Sequence, residues 1–148
     1  MTKLHNEIKI NAPVEKVWKI LADLEQVQYY NPLVAHTKYV SENRLGIGAT
    51  RHCDFKPKGF SKERVTEFKP QEVIGFEIIE SSFPMVFTRW RTMLKPVDGG
   101  TLVSQDMEYQ LKFGLLGSLM DVLIIRQKYG KILDDIFRGL KRYSETGK

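Results

Sequence analysis

The C-terminal segment limits the possible folds more than any other part of this sequence. From Leu115 to Ser144, apolar side chains recur at Val122, Ile125, Tyr129, Ile132, Ile136, Leu140 and Tyr143. Steps of three or four place them on one face of a 3.6-residue helix. Such a helix is roughly 45 Å long at ~1.5 Å per residue. A flat strand pair cannot cover an apolar stripe of that length, so a curved sheet wrapped around the helix is the expected partner.

The rest of the chain supplies that sheet. Leu4, Ile8 and Ile10 alternate with His5, Glu7 and Lys9, the pattern of a half-buried strand. Asn11-Ala12-Pro13 stops it, with Asn11 the expected cap and Pro13 in the first turn of a short helix. That helix buries Val14, Val17, Trp18 and Leu21. A second short helix or turn spans Asp23 to Pro32 and carries Tyr29 and Tyr30. About six strands follow, with cores at 34–41, 47–55, 60–68, 73–80, 85–95 and 101–113, separated by turn residues at hairpin spacing. The fold class is α+β: a curved seven-stranded antiparallel sheet, two short helices after the first strand, and a long closing helix.

Agreement between hairpin partners assigns the inward face. A tight turn at Ser81 to Pro84 sets Ile74, Phe76 and Ile78 opposite Trp90, Thr88 and Val86, while Val65 pairs with Phe76. Trp90 comes opposite Met107, with Val103, Tyr109 and Leu111 on the same side. The other parity carries Arg89, Arg91, Asp106 and Glu108, which suits water.

At 148 residues the chain reads as one domain, 1–148, able to bury a core without disulfides or metal. Lys and Arg number 23 against 18 Asp and Glu, for a net charge of +5. The cations are dispersed rather than run together, so an ordinary solvated surface is expected and no nucleic-acid partner. Cys53 stands alone, which excludes an internal disulfide and a multi-cysteine zinc site. Neither a signal-like N-terminus nor an apolar run of about 18 residues is present. The expectation is a cytoplasmic protein without stable membrane insertion, monomeric or homodimeric. The richest apolar stretch, Leu115 to Ile125, is interrupted by Ser118 and Asp121 and reads as the docked start of the long helix.

The order of elements, together with particular segments, carries a family resemblance. These segments are Ile10-Asn11-Ala12-Pro13-Val14-Glu15-Lys16-Val17-Trp18, Gly46-Ile47-Gly48-Ala49-Thr50-Arg51, Glu63-Arg64-Val65, Gly99-Gly100-Thr101, and Gly114-Leu115-Leu116-Gly117 through Lys141. The chain resembles the START-like helix-grip (SRPBCC) superfamily, in its bacterial polyketide cyclase/dehydrase and lipid-transport branch. It departs from many relatives where they carry Trp before an Asn/Pro turn, having Tyr29-Tyr30-Asn31-Pro32 instead. The resemblance implies a cavity between sheet and C-terminal helix that holds a hydrophobic or amphipathic small molecule such as a lipid, polyketide or other aromatic compound. It does not imply a reaction, because one fold serves carriers, sensors and enzymes.

Candidate walls of such a cavity are Val65, Phe76, Ile78, Val86, Trp90, Met107, Tyr109 and Leu111 from the sheet, Leu119, Val122 and Tyr129 from the helix, and Tyr30 at its mouth. For any one of them, plain core packing is the more ordinary role. Trp90 and Tyr109 carry polar atoms that need partners when buried. Arg51 and Glu63 can face each other across the turn at Lys56 to Gly59, either as a polar wall of the pocket or as an exposed cross-strand pair; both readings stay open.

Catalytic chemistry finds little support. His5, His36 and His52 lie on different strands with no metal-type spacing, and no nucleophile elbow, phosphate-binding loop or dinucleotide fingerprint occurs. His52 and Asp54 share a face but suit a solvated strand, and Cys53 between them points inward. No catalytic residue, metal ligand or cofactor is assigned. The expected function is binding, as carrier or sensor, with an aromatase/cyclase or dehydratase using acid–base chemistry in the same cavity as the alternative.

Overall fold

Seven antiparallel strands form one sheet in the order β1-β7-β6-β5-β4-β3-β2 in a computed structural model that describes residues 1–148. The strands are β1 (Thr2–Ile10), β2 (Val34–Tyr39), β3 (Thr50–Phe55), β4 (Phe60–Lys69), β5 (Val73–Ser81), β6 (Met85–Val97) and β7 (Gly100–Leu111). Between β1 and β2 come α1 (Val14–Ala22), a 3-10 turn at Leu24–Gln26 and α2 (Val27–Tyr30). After β7, α3 (Gly114–Met120) and α4 (Arg126–Thr146) are joined by a π-helical turn, Asp121–Ile125, into one helix of 33 residues. No helix is long and apolar enough to cross a membrane.

Most of the expected alternation is realised. Trp90 lies opposite Met107 and Val65 opposite Phe76, as expected. The tight β5–β6 turn is not. Phe76 pairs with Trp90 rather than Thr88, a two-residue shift that by itself keeps the same parity inward because the strand period is two. A bulge between Met85 and Phe87 then turns Val86 outward, 58% exposed, while Met85 takes the inward position. On the outer face, Arg89 pairs with Glu108, Arg91 with Glu67 and Arg64 with Glu77.

The main core joins α1, α2, the concave side of the sheet and the end of α4: Val17, Trp18, Leu24, Val65, Ile74, Phe76, Phe137 and Leu140 among others. Trp18 packs on Phe68 at a 5.2 Å centroid distance. Asn11 does not cap α1. Pro13 occupies the cap position, its carbonyl accepting from Lys16 and Val17, and the Asn11 N–H donates instead to the Glu145 carboxylate at 2.7 Å. Close approach of α4 to α2 requires Gly139, where an added Cβ would lie 1.9 Å from the Tyr30 carbonyl oxygen.

The long helix departs most from expectation. Its inward positions are Gly117, Asp121, Ile125, Tyr129, Leu133 and Phe137, steps of four that exceed the 3.6-residue period. The wider π turn takes up the resulting drift. Asp121, rather than Val122, therefore faces the sheet. Leu119 (56% exposed), Val122 (58%) and Leu115 (91%) project into solvent, so the start of the helix is not docked by its apolar residues.

Candidate functional site

Two polar groups and one cleft lie on the concave side of the sheet. The first group is built on the β3–β4 hairpin, whose register sets Arg51 directly opposite Glu63. Both are buried, which decides between the two readings of their placement in favour of an inward pair. Arg51 Nε donates to Glu63 Oε1 at 2.8 Å and Arg51 Nη1 to the Leu24 carbonyl at 3.2 Å. Ser61 Oγ donates to Glu63 Oε2 at 2.7 Å. The guanidinium sits 4.6 Å from the Phe76 ring centroid, and Phe76 stacks on Trp90 at 5.2 Å. Both Glu63 oxygens and the Arg51 Nε and Nη1 donors find partners within the protein, so the pair clamps β3, β4 and the Leu24 turn together.

Neighbours of this clamp are kept neutral. Burial raises the Tyr30 phenol above its ordinary value, against an opposing effect of Arg51. The Cys53 thiol, accepting from Thr37 Oγ1 at 3.5 Å, is pushed up to about 12 by burial and then by the Glu63 charge. A thiol in that state is a small core side chain rather than a nucleophile.

The second group pins the helix start. Asp121 accepts from the Tyr109 and Thr2 hydroxyls and from Arg126 Nη2 at 3.1 Å. Desolvation works against its charge, but the hydrogen bonds from Thr2, Tyr109 and Arg126 outweigh it and hold the carboxyl below its usual range. The need of buried Tyr109 for a polar partner is met here. The reading of the residues missed Asp121, which stood out only as the one acid inside an apolar run.

The cleft arises where β5 and β6 part. Their last paired residues are Glu77 and Arg89. Beyond them Ile78–Ser81 and Met85–Thr88 diverge around an open space of about 260 Å³, lined by apolar and aromatic side chains from Ile78, Ile79, Phe83, Met85, Val86, Phe87 and Tyr129 and by polar ones from Glu80, Ser81, Thr88 and Lys112. Thr88 is turned to Met85, its hydroxyl 3.2 Å from the sulfur. Tyr129 packs against Tyr109 with the rings tilted by 34° and their centroids 5.1 Å apart. Burial, with a smaller effect of the Glu63 charge, pushes the Tyr129 phenol up to about 12, leaving a neutral hydroxyl able to donate or accept.

The candidate residues therefore divide by place. Ile78, Val86 and Tyr129 line the cleft, Val86 from its rim. Val65 and Phe76 belong to the main core, with Trp90 packed against it. Met107 and Tyr109 form a second cluster with Leu133, flanked by Leu111. Tyr30 is sealed beneath α4, and Arg51 and Glu63 form the clamp. Leu119 and Val122 are surface residues rather than cavity walls, carried outward by the phase of the π turn. Sequence reasoning missed Met85, Phe87, Phe83 and Thr88 as cleft residues, because the parting of β5 and β6 leaves no local mark.

His52 and Asp54 lie on the opposite, solvated face, 3.0 Å apart, with the imidazole stacked on Phe60. No three His, Cys, Asp or Glu side chains converge in a metal-holding group.

Comparison with known proteins places this geometry in context. The sequence profile of a family described as polyketide cyclase / dehydrase and lipid transport matches residues 1–145. No curated protein sequence matches the chain. Among solved structures, a protein from Thermus thermophilus superposes with a TM-score of 0.83 at 19% identity, covering 99% of each chain. A START superfamily protein from Mycobacterium smegmatis superposes at 0.81 with 15% identity, again over 99% of each chain. XoxI from Bacillus cereus gives 0.78 at 15% identity, covering 99% of this chain and 97% of that one.

Proposed function

The chain belongs to the polyketide cyclase / dehydrase and lipid transport family, and from that premise we propose that it binds a hydrophobic or amphipathic small molecule in the cleft between β5, β6 and the C-terminal helix, as a carrier or sensor. The observation that carries this reading is the divergence of β5 and β6 past Glu77 and Arg89, which opens a space beside Tyr129 with a mainly apolar lining and a few polar side chains. Strand pairing given up by two adjacent strands exposes backbone polar groups and apolar side chains that a ligand can cover.

The dimensions limit the guest. About 260 Å³ lies just under the roughly 300–1,000 Å³ of sites that enclose drug-sized ligands. One or two fused rings, or the end of an acyl chain, fit within it, and the remainder of a larger molecule extends past Phe83 and Val86. Lys112 and the Tyr129 hydroxyl supply the polar contacts, suited to a phenol, a carbonyl or a carboxylate at the ligand's polar end. The cleft's other polar side chains are Glu80, Ser81 and Thr88; Glu80 is held by Lys62 at 2.9 Å and Thr88 is turned to Met85, so neither is free for acid–base work, which favours binding over turnover. Arg51 and Glu63 are bonded to Leu24 and Ser61 beside Phe76 in the core and do not line the cleft.

The test is mass spectrometry of organic extracts from purified protein, then titration of the compound found into wild type and into Ile78→Trp, whose indole fills the space. The expected result is an unaltered passenger and at least tenfold weaker binding by the variant. Conversion of that compound into a product on incubation would favour the cyclase or dehydratase reading. Equal affinity in the variant would remove the cleft as the site.

A further inference from the structure

We propose that the first half of the C-terminal helix docks this protein reversibly on the surface of a bilayer rich in acidic lipid. Phe113, Leu115, Leu116, Leu119, Leu123 and Ile124 are all exposed, from 48% at Ile124 to 91% at Leu115. Only Gly117 and Asp121 of α3 and the π turn are buried, so the segment is apolar around most of its circumference. A helix of that kind on a folded protein needs an apolar neighbour, and the sheet of this chain does not provide one.

The patch continues onto the neighbouring hairpin. The Lys112 N–H donates to the Pro84 carbonyl at 3.0 Å, which sets the β5–β6 connection, with exposed Phe83 and Val86, alongside the start of α3. Phe113 holds a left-handed backbone, φ 78°, at the junction of β7 and α3 and presents its ring to solvent. Bulky residues adopt that conformation only at a cost.

Charge selects the occupant. From Lys112 through Lys131 the charged residues are Lys112, Asp121, Arg126, Lys128 and Lys131. The single acid is turned inward and consumed by Thr2, Tyr109 and Arg126. The exposed rim of the helix segment is therefore cationic through Lys112, Lys128 and Lys131, Arg126 being paired with Asp121, and Glu80 on the adjoining hairpin is answered by Lys62. A second copy of the chain, paired through the same patch, would bring these cations together with no exposed acid from the segment to answer them. Apolar residues flanked by Lys and Arg are instead the pattern that inserts to the depth of the lipid headgroups and is held by acidic lipid. Docking of this kind does not depend on whether the cleft holds a ligand.

Vesicle co-sedimentation of the full chain tests it, using phosphatidylcholine vesicles with and without roughly 30% phosphatidylglycerol. Wild type is expected on the acidic vesicles, at least tenfold less on phosphatidylcholine alone, with release as salt is raised. Leu119→Glu/Leu123→Glu, two changes at exposed positions checked for folding by circular dichroism, is expected to lose at least tenfold of the binding. Ile78→Trp is expected to keep it, which separates this proposal from the cleft reading. Failure of wild type to bind acidic vesicles overturns the proposal, as does equal binding by the double variant. Concentration-dependent dimerisation that the double variant abolishes, without vesicle binding, would overturn it in favour of a second copy on the patch.

Discussion

Arg51 shows how a single residue changes meaning between sequence and structure. Opposite Glu63 on a hairpin, an Arg is compatible with a surface pair worth a few tenths of a kcal/mol or with a buried pair that is costly to desolvate. Burial of both residues, with the Leu24 carbonyl and Ser61 completing the hydrogen bonds, makes it the second. Arg51→Met strands the Glu63 carboxylate in the core, and urea denaturation is expected to show a loss of about 3–5 kcal/mol. Arg51→Met/Glu63→Leu removes both charges, and most of that stability is expected to return. If the double variant is no more stable than the single one, the clamp is not an electrostatic unit.

Among the elements, the long helix carries the clearest lesson. Its apolar residues, counted at 3.6 per turn, point to a stripe through Val122. The buried positions instead advance by four from Gly117 to Phe137, and the π turn at Asp121–Ile125 absorbs the excess. Asp121 is the anchor of that turn, and its carboxyl is held below its usual range despite desolvation. A depressed folded-state value means that ionised Asp121 stabilises the fold above the unfolded-state pKa, about 3.9, and that this contribution fades as pH falls through the lower folded value. Thermal melts of Asp121→Asn are therefore expected to show a lower Tm at pH 7 and a shallower decline below about pH 4. A variant melting curve parallel to wild type across that range would place the acid sensitivity elsewhere.

For the whole molecule, stability and surface function pull in different directions at Phe113. Its left-handed backbone costs about 1–2 kcal/mol in a residue with a Cβ, partly offset by the greater unfolded-state freedom of glycine. Phe113→Gly is expected to raise stability by about 0.5–1 kcal/mol while weakening attachment to acidic vesicles. A variant that is both less stable and equally well bound would show that the ring is packed for the fold rather than exposed for docking. The same tension runs through α3, where a stretch of exposed Leu contributes little to the core built by α1, α2 and the end of α4.

How much was legible in the sequence follows from the range of each interaction. Strand alternation, turn residues and helix periodicity are local, and they yielded the α+β class, the seven strands, the two short helices, the closing helix and the Arg51–Glu63 register. Inward parity survived even the two-residue error in the β5–β6 pairing, because it depends on the pleat and not on the partner. The phase of the long helix, the outward turn of Val86 and the cleft beside Tyr129 were decided only in three dimensions. Each depends on a contact between segments far apart in the chain: Thr2 and Tyr109 on Asp121, Lys112 on Pro84, and β6 leaving β5 while keeping β7. Periodicity in a single segment records what that segment prefers, whereas the place where two segments separate is settled by the packing of every element around them.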